Sequence, residues 1–381
     1  MTPHIIYVAT ADARGHLMRA QLLVHALRKA GAQVEVLTTS DAGRRFLASF
    51  GIDAPILSQH YAVQFDERQN MLRGATNRNV AHYVFRPTRM LRDIGRLQLV
   101  ARNADLLVND SFHPALLFMG MLPGWRRKIL HVYGASLKTA LLGNFDGVLP
   151  RVLGRAFARI VAWQIDAARS CIEHDFAYEA RDAADTLRFQ LPTPVALAAP
   201  PSAERTYDAA VYLNPHFRDA SLADALRAGL DDAGLSSHCV GEGYTDRAGW
   251  QGVDPDWASC AAQARLIVSA PGMAALAIAQ VYRRPIMLVL TDQPEQASNA
   301  ERARHLGLLH RVVTWRGDAG DFRRQVADAS YELAHADAHA DAAHACGAVC
   351  RQRAQARVDA WIERLLALCA TGARTNRTGP A

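Results

Sequence analysis

A chain of 381 residues is too long for one small core and suits two domains of ordinary size. Its 50% hydrophobic and 21% charged residues exclude a disordered or fibrous chain and fit a soluble globular protein. The net charge of +6 contains no block of five or six like charges, and only Lys29, Lys128 and Lys138 are lysines, so a basic arm for nucleic acid is excluded while steering of an anionic partner is not.

Six cysteines are too few for a disulfide scaffold, and no Cys-x-x-Cys is present. The apolar run at 5–9 follows no basic segment and is too short for a signal peptide. No stretch of about 18 apolar residues occurs to span a membrane. The expectation is a cytoplasmic protein, placed where it can meet the inner face of the membrane.

The elements follow in order. Residues 5–9, β-branched and aromatic, predict a buried parallel strand. A polar turn at 10–16 contains Gly15. Apolar residues at helical spacing fill 17–27, and Gly31 stands where a glycine ends a helix. A second strand at 34–38 completes a βαβ unit. Strands at 105–110 and 128–132 flank the apolar segment 114–121. Four prolines within 191–201 cannot continue a helix or a central strand, which predicts a linker over 191–206. It would separate an N-terminal domain over 1–190 from a C-terminal domain over 207–348. In the second domain strands are predicted at 209–213, 238–240, 265–269 and 285–290, with helices at 222–230 and 273–282. A helix within 349–370 packs back on the body, and 371–381 is expected to be disordered. The fold class is α/β: two doubly wound Rossmann-like domains facing each other across a cleft, with ligands at the carboxyl ends of the strands.

Two segments carry a family signal. The first is Gly15-His16-Leu17-Met18-Arg19, followed by Leu22, Leu23, Ala26, Leu27 and Gly31. The second runs from Ala261 to Gly307. It contains Ser269-Ala270-Pro271-Gly272, then Pro285-Ile286-Met287-Leu288-Val289, then Gln293-Pro294-Glu295-Gln296-Ala297-Ser298-Asn299-Ala300. Together they resemble the GT-B glycosyltransferases, in the branch that serves lipids and small molecules. The resemblance implies inverting transfer of a sugar from a nucleotide-sugar donor, UDP-linked in the usual case, to an acceptor hydroxyl. No cofactor and no metal is implied, because helix N-termini hold the diphosphate. The implied donor side is Gly272, Met273, Asp292, Gln293, Gln296 and Asn299; the implied acceptor side is Gly15, Arg19 and His113. The acceptor itself, a small molecule or a lipid-linked sugar, is not given by any motif, and its contacts are expected from the loops at 58–79 and 133–145.

His16 suits the base that takes the acceptor proton, since imidazole titrates near neutral pH. Asp110 ends a strand of the same sheet and would hold that imidazole in one tautomer. The competing reading makes both residues helix caps, and His113 competes with Asp110 as the partner. Gln296 and Asn299 bind the donor sugar or order the loop beneath it, and Asp292, Gln293 and Glu295 stand close enough to share the role.

The sequence also departs from the family. Counting back from Pro285, the position of the ribose-binding glutamate is Ile278, and Asn214-Pro215-His216-Phe217 stands where a glycine-rich turn is usual. Two rivals therefore stay open: a nucleotide-sugar epimerase using Glu242, Asp292 or Glu295, and a partner protein that kept the fold without the reaction. Arg86, Arg89, Arg92 and Arg96 interleave with Phe85, Met90, Leu91 and Ile94, which reads as a solvated helix face or as a contact with anionic lipid. The cluster His335, Asp337, His339, Asp341, His344, Cys346 and Cys350 reads as an alanine-rich surface helix in preference to a metal site.

Overall fold

The computed structural model describes residues 2–9, 14–58, 87–110, 113–135, 151–179, 187–199, 207–291, 294–335 and 347–376. The chain forms two compact units. The body of unit 1 ends at Pro192, and unit 1 takes up the chain again at Arg357; unit 2 spans Thr193–Ala356.

Unit 1 contains β1 (His4–Ala9), α1 (Arg14–Lys29), β2 (Gln33–Thr38), α2 (Asp41–Ala48), α3 (Pro87–Val100), β3 (Leu106–Asp110), α4 (Pro114–Met119), β4 (Ile129–Gly134), α5 (Arg151–Ala167), β5 (Ser170–Asp175) and β6 (Arg188–Pro192). The six strands lie in the order β2-β1-β3-β4-β5-β6, every neighbouring pair parallel. A parallel sheet covered by helices has no wet face, so β1 is buried as an apolar run from Ile5 to Ala9, and β3 is buried throughout, with Leu106-Leu107-Val108 ahead of the polar Asn109 and Asp110. Each fully buried Ile, Leu or Val there contributes about 1.5–3 kcal/mol. Gly31 lies at φ +87° just past α1, a conformation that costs glycine little.

Unit 2 repeats the plan with β7 (Ala209–Leu213), α6 (Ala220–Asp232), β8 (Ser237–Gly241), β9 (Trp250–Gln251), α7 (Trp257–Gln263), β10 (Leu266–Ser269), α8 (Met273–Tyr282), β11 (Ile286–Leu290), α9 (Pro294–His305), β12 (His310–Thr314) and α10 (Ala319–Ala334). Its parallel order is β12-β11-β10-β7-β8-β9. A last helix, α11 (Gly347–Asn376), follows.

Three expectations change. Helix α1 starts at Arg14, so Gly15 and His16 occupy its first turn and not the preceding loop. Leu191 and Pro192 belong to β6 and not to a linker over 191–206. β6 is an edge strand, and a proline closing an edge strand removes no interior ladder bond. Helix α11 runs 30 residues to Asn376, well into the tail expected to be disordered from 371, since no proline interrupts it before Pro380.

Candidate active site

In unit 1 the chain winds from β1 to β2 on one side and continues from β3 on the other. In open parallel sheets that reversal is where ligands bind, at the carboxyl ends of the strands, here β1 and β3. His16 stands in the first turn after β1, and Asp110 is the last residue of β3. Residues 94 apart in sequence therefore meet: His16 Nδ1 lies 2.7 Å from Asp110 Oδ1. The tautomer with the proton on Nδ1 donates to that carboxylate, and Arg19 Nη2 lies 2.9 Å from the same ring nitrogen. In that tautomer Nε2 is left with the lone pair, the form a base requires. The side chain of His16 is 21% exposed, whereas that of Asp110 is 0% exposed, so the ring reaches solvent from a buried support.

That support is a closed polar cluster. Tyr7 Oη donates to Asp110 Oδ2 at 2.6 Å. Arg19 donates from Nε to Oδ2 at 2.8 Å and from Nη2 to Oδ1, a two-pronged grip. Burial alone would raise the Asp110 carboxyl, but the charges and hydrogen bonds of Arg19 and His16 hold it well below the usual carboxylate range. Burial and the Asp110 carboxylate push the Tyr7 phenol well above its usual value, so it stays a donor.

The remaining acceptor-side residues separate. Arg19 is buried, and its nitrogens lie within hydrogen-bond distance of Asp110, His174 and His16. His113 does not pair with Asp110. It caps α4, with Nδ1 accepting from the Ala115 amide at 3.3 Å and Nε2 lying 3.2 Å from Ser58 Oγ. Its side chain is fully buried. Gly15 is exposed, and a Cβ built on it would meet no atom within 4 Å, so open space lies in front of it. Tyr7 and His174 join the cluster although nothing in the sequence reading singled them out. The expected acceptor loops lie largely outside the described residues.

In unit 2 the strand order reverses between β7 and β10. The turn after β10 carries Pro271 and Gly272, and Gly272 caps α8 without any side-chain hydrogen bond to the helix amides. The ten-residue helix thus presents uncapped N–H groups and its positive dipole end at a strand carboxyl edge, next to Met273. Asn299 Nδ2 donates to the Pro271 carbonyl at 2.8 Å, and its buried Oδ1 has no partner among the described residues. Gln296 Oε1 accepts from the Thr291 amide at 2.7 Å and from its hydroxyl at 3.1 Å. Both amides therefore order the turns after β10 and β11. Ile278 is buried in α8, where an aliphatic side chain packs and accepts no hydrogen bond. Asp292 and Gln293 lie outside the described residues, as do Arg86, Asp337, His339, Asp341, His344 and Cys346. His335 caps α10, with its ring Nδ1 2.9 Å from the Tyr331 carbonyl oxygen.

No protein-family model matches the chain, and no curated protein matches it. Solved structures do. The calicheamicin glycosyltransferase CalG4 superposes with a TM-score of 0.57 at 17% identity, over 100% of both chains. LpCGTa in complex with UDP gives 0.58 at 17% identity, over 97% of this chain and 100% of that one. The glycosyltransferase VinC in complex with dTDP gives 0.51 at 15%, with the same coverage. Two parallel-sheet units in succession, matched along nearly the whole chain, give this protein the GT-B fold of those glycosyltransferases.

Proposed function

We propose that this protein transfers a glycosyl group from a nucleoside-diphosphate sugar to an acceptor hydroxyl, with inversion at the anomeric carbon. The observation that carries the reading is the His16–Asp110 pair at the carboxyl edge of β1 and β3, 2.7 Å apart, which in the Nδ1–H tautomer leaves Nε2 basic. His16 takes the hydroxyl proton while the acceptor oxygen attacks the anomeric carbon. The bond from that carbon to the diphosphate oxygen breaks, and its electron pair leaves with the nucleotide. A single displacement places the new bond opposite the old one. The uncapped start of α8 stabilises the charge on the departing diphosphate, which is why no metal enters the proposal.

LpCGTa and VinC, the one bound to UDP and the other to dTDP, support a nucleotide donor, and UDP-sugars are the first to test. Exposed Leu91 and Leu99 with Arg89 and Arg92 on α3, and Ile160 and Trp163 with Arg155 and Arg159 on α5, support peripheral contact with an anionic membrane and so a lipid-linked acceptor. No helix among the described residues is long and apolar enough to cross a membrane. Ile278 favours a second reading, a GT-B partner protein without turnover. Calorimetry with UDP, dTDP and their sugars separates the two, followed by product analysis with lipid extract and with small hydroxylated acceptors. Nucleotide binding with acceptor-dependent transfer supports the enzyme. No nucleotide binding overturns it, and a rearranged sugar formed without acceptor indicates epimerisation.

A further inference from the structure

Arg19 has a third contact that the grip on Asp110 does not need. Its Nη1 lies 2.7 Å from Nε2 of His174, a residue 155 positions away on β5. His174 is 3% exposed, and burial together with the Arg19 charge pushes its imidazole well below the ordinary histidine value. The ring is therefore neutral, and Nε2 accepts the Arg19 hydrogen. A neutral acceptor suits this place, because it fixes the guanidinium without disturbing the charge balance of the Arg19–Asp110 pair. The His174 ring also lies 6.0 Å from the Trp361 ring, whose Nε1 donates to the Pro192 carbonyl at 2.8 Å.

We propose that His174 and Arg19 are positioning residues for His16: His174 fixes the Arg19 guanidinium, and the guanidinium fixes Asp110 Oδ1 in register with His16 Nδ1. The role assigned to the pair rests on the reading of His16 as base. Among the described residues, the charged and titratable groups around the dyad are Tyr7 from β1, Arg19 from α1 and His174 from β5. Tyr7 and the two Arg19 prongs saturate Asp110, so the carboxylate cannot swing away from His16. Its charge is compensated before reaction, and it serves His16 by orientation more than by net charge. Arg19 Nη2 also lies 2.9 Å from His16 Nδ1, so carboxylate and guanidinium meet the same ring nitrogen, and the placement of the guanidinium decides whether Nδ1 donates to Asp110 or accepts from Arg19.

Two variants of the full chain test this, His174→Gln and His174→Leu. Glutamine keeps an acceptor for Arg19, whereas leucine fills similar volume without one. With a working donor and acceptor, His174→Leu is expected to lower kcat by about tenfold or more with donor KM within about twofold, and His174→Gln to stay within about threefold of the parent. In the resting protein, nitrogen-15 NMR of labelled histidine should show His16 as the Nδ1–H tautomer in the parent and in His174→Gln, and as a mixture in His174→Leu. Equal kcat loss in both variants, or an unchanged tautomer in His174→Leu, overturns the proposal. If the parent transfers no sugar, the functional reading has failed, and the tautomer measurement still decides the positioning. If His174→Leu does not fold, Arg19→Lys takes its place. Lysine keeps the charge without the fork, and a retained pure Nδ1–H tautomer there also overturns the proposal.

Discussion

Replacing Arg19 with methionine tests the buried cluster in a way that has a sign as well as a size. In the parent, Asp110 is ionised without access to water because a guanidinium grips both its oxygens. Among the described residues, the Arg19→Met change leaves that carboxylate buried with only Tyr7 and His16 as partners. Breaking a buried pair from one side costs about 3–5 kcal/mol. The pH dependence follows from the direction of the carboxyl shift. In the parent the folded carboxyl is held below its unfolded value, so its contribution is complete above about pH 4 and fades as the pH falls further. Without Arg19, burial becomes the dominant influence and lifts the folded carboxyl above its unfolded value. Stability is then retained at low pH and lost as the pH rises, by up to about 1.4 kcal/mol per pH unit until the folded carboxyl ionises. The difference between parent and variant should therefore be smaller near pH 5 than near pH 8. Urea denaturation at both pH values, followed on the transition of unit 1, measures it. A penalty under about 1 kcal/mol, or one equal at both pH values, would refute the reasoning.

Other residues give independent tests. Gly15→Ala should leave stability unchanged or raise it by up to about 1 kcal/mol, because Gly15 is helical and its Cβ would meet no atom. A loss of turnover in that variant, with thermal unfolding unchanged, would mark the open space as acceptor-binding. Asn299→Leu removes the bond to the Pro271 carbonyl and should weaken UDP or dTDP binding by about tenfold in calorimetry, while unchanged affinity would separate this turn from the donor. Burial pushes the His131 imidazole down to about 3, so His131 withdraws stability as the pH falls from its unfolded value near 6.5. His131→Gln should accordingly gain on the parent by about 1.4 kcal/mol per pH unit below pH 6, and a parallel pair of stability curves would contradict that.

The parts of the fold legible in the sequence are those written in short-range patterns. The apolar runs of β1, β7 and β11 and the glycine after α1 announce themselves locally. The approach of His16 to Asp110 was legible because successive parallel strands bring their carboxyl ends to one edge. The inward turn of Arg19 is not legible, for a physical reason. Arg19 stands one turn from His16, and the sequence does not say whether a helical arginine turns outward to a ligand or inward to a carboxylate. His174 left no signal at all, because its meaning depends on β5 lying two strands from β3. The Gly15-to-Arg19 spacing combined with a strand-ending Asp110 would have justified a search for a buried acceptor near Arg19. Pro192 misled because a proline is read as a break until the strand it ends is known to be an edge.

The central claim is that His16 is the base of a sugar transfer supported by Asp110. It is tested most directly by His16→Ala, with turnover and donor affinity measured on the same preparation. The account predicts that kcat falls by about a thousandfold or more while the Kd for the nucleotide sugar stays within about threefold of the parent. Turnover retained at the parent level would contradict it.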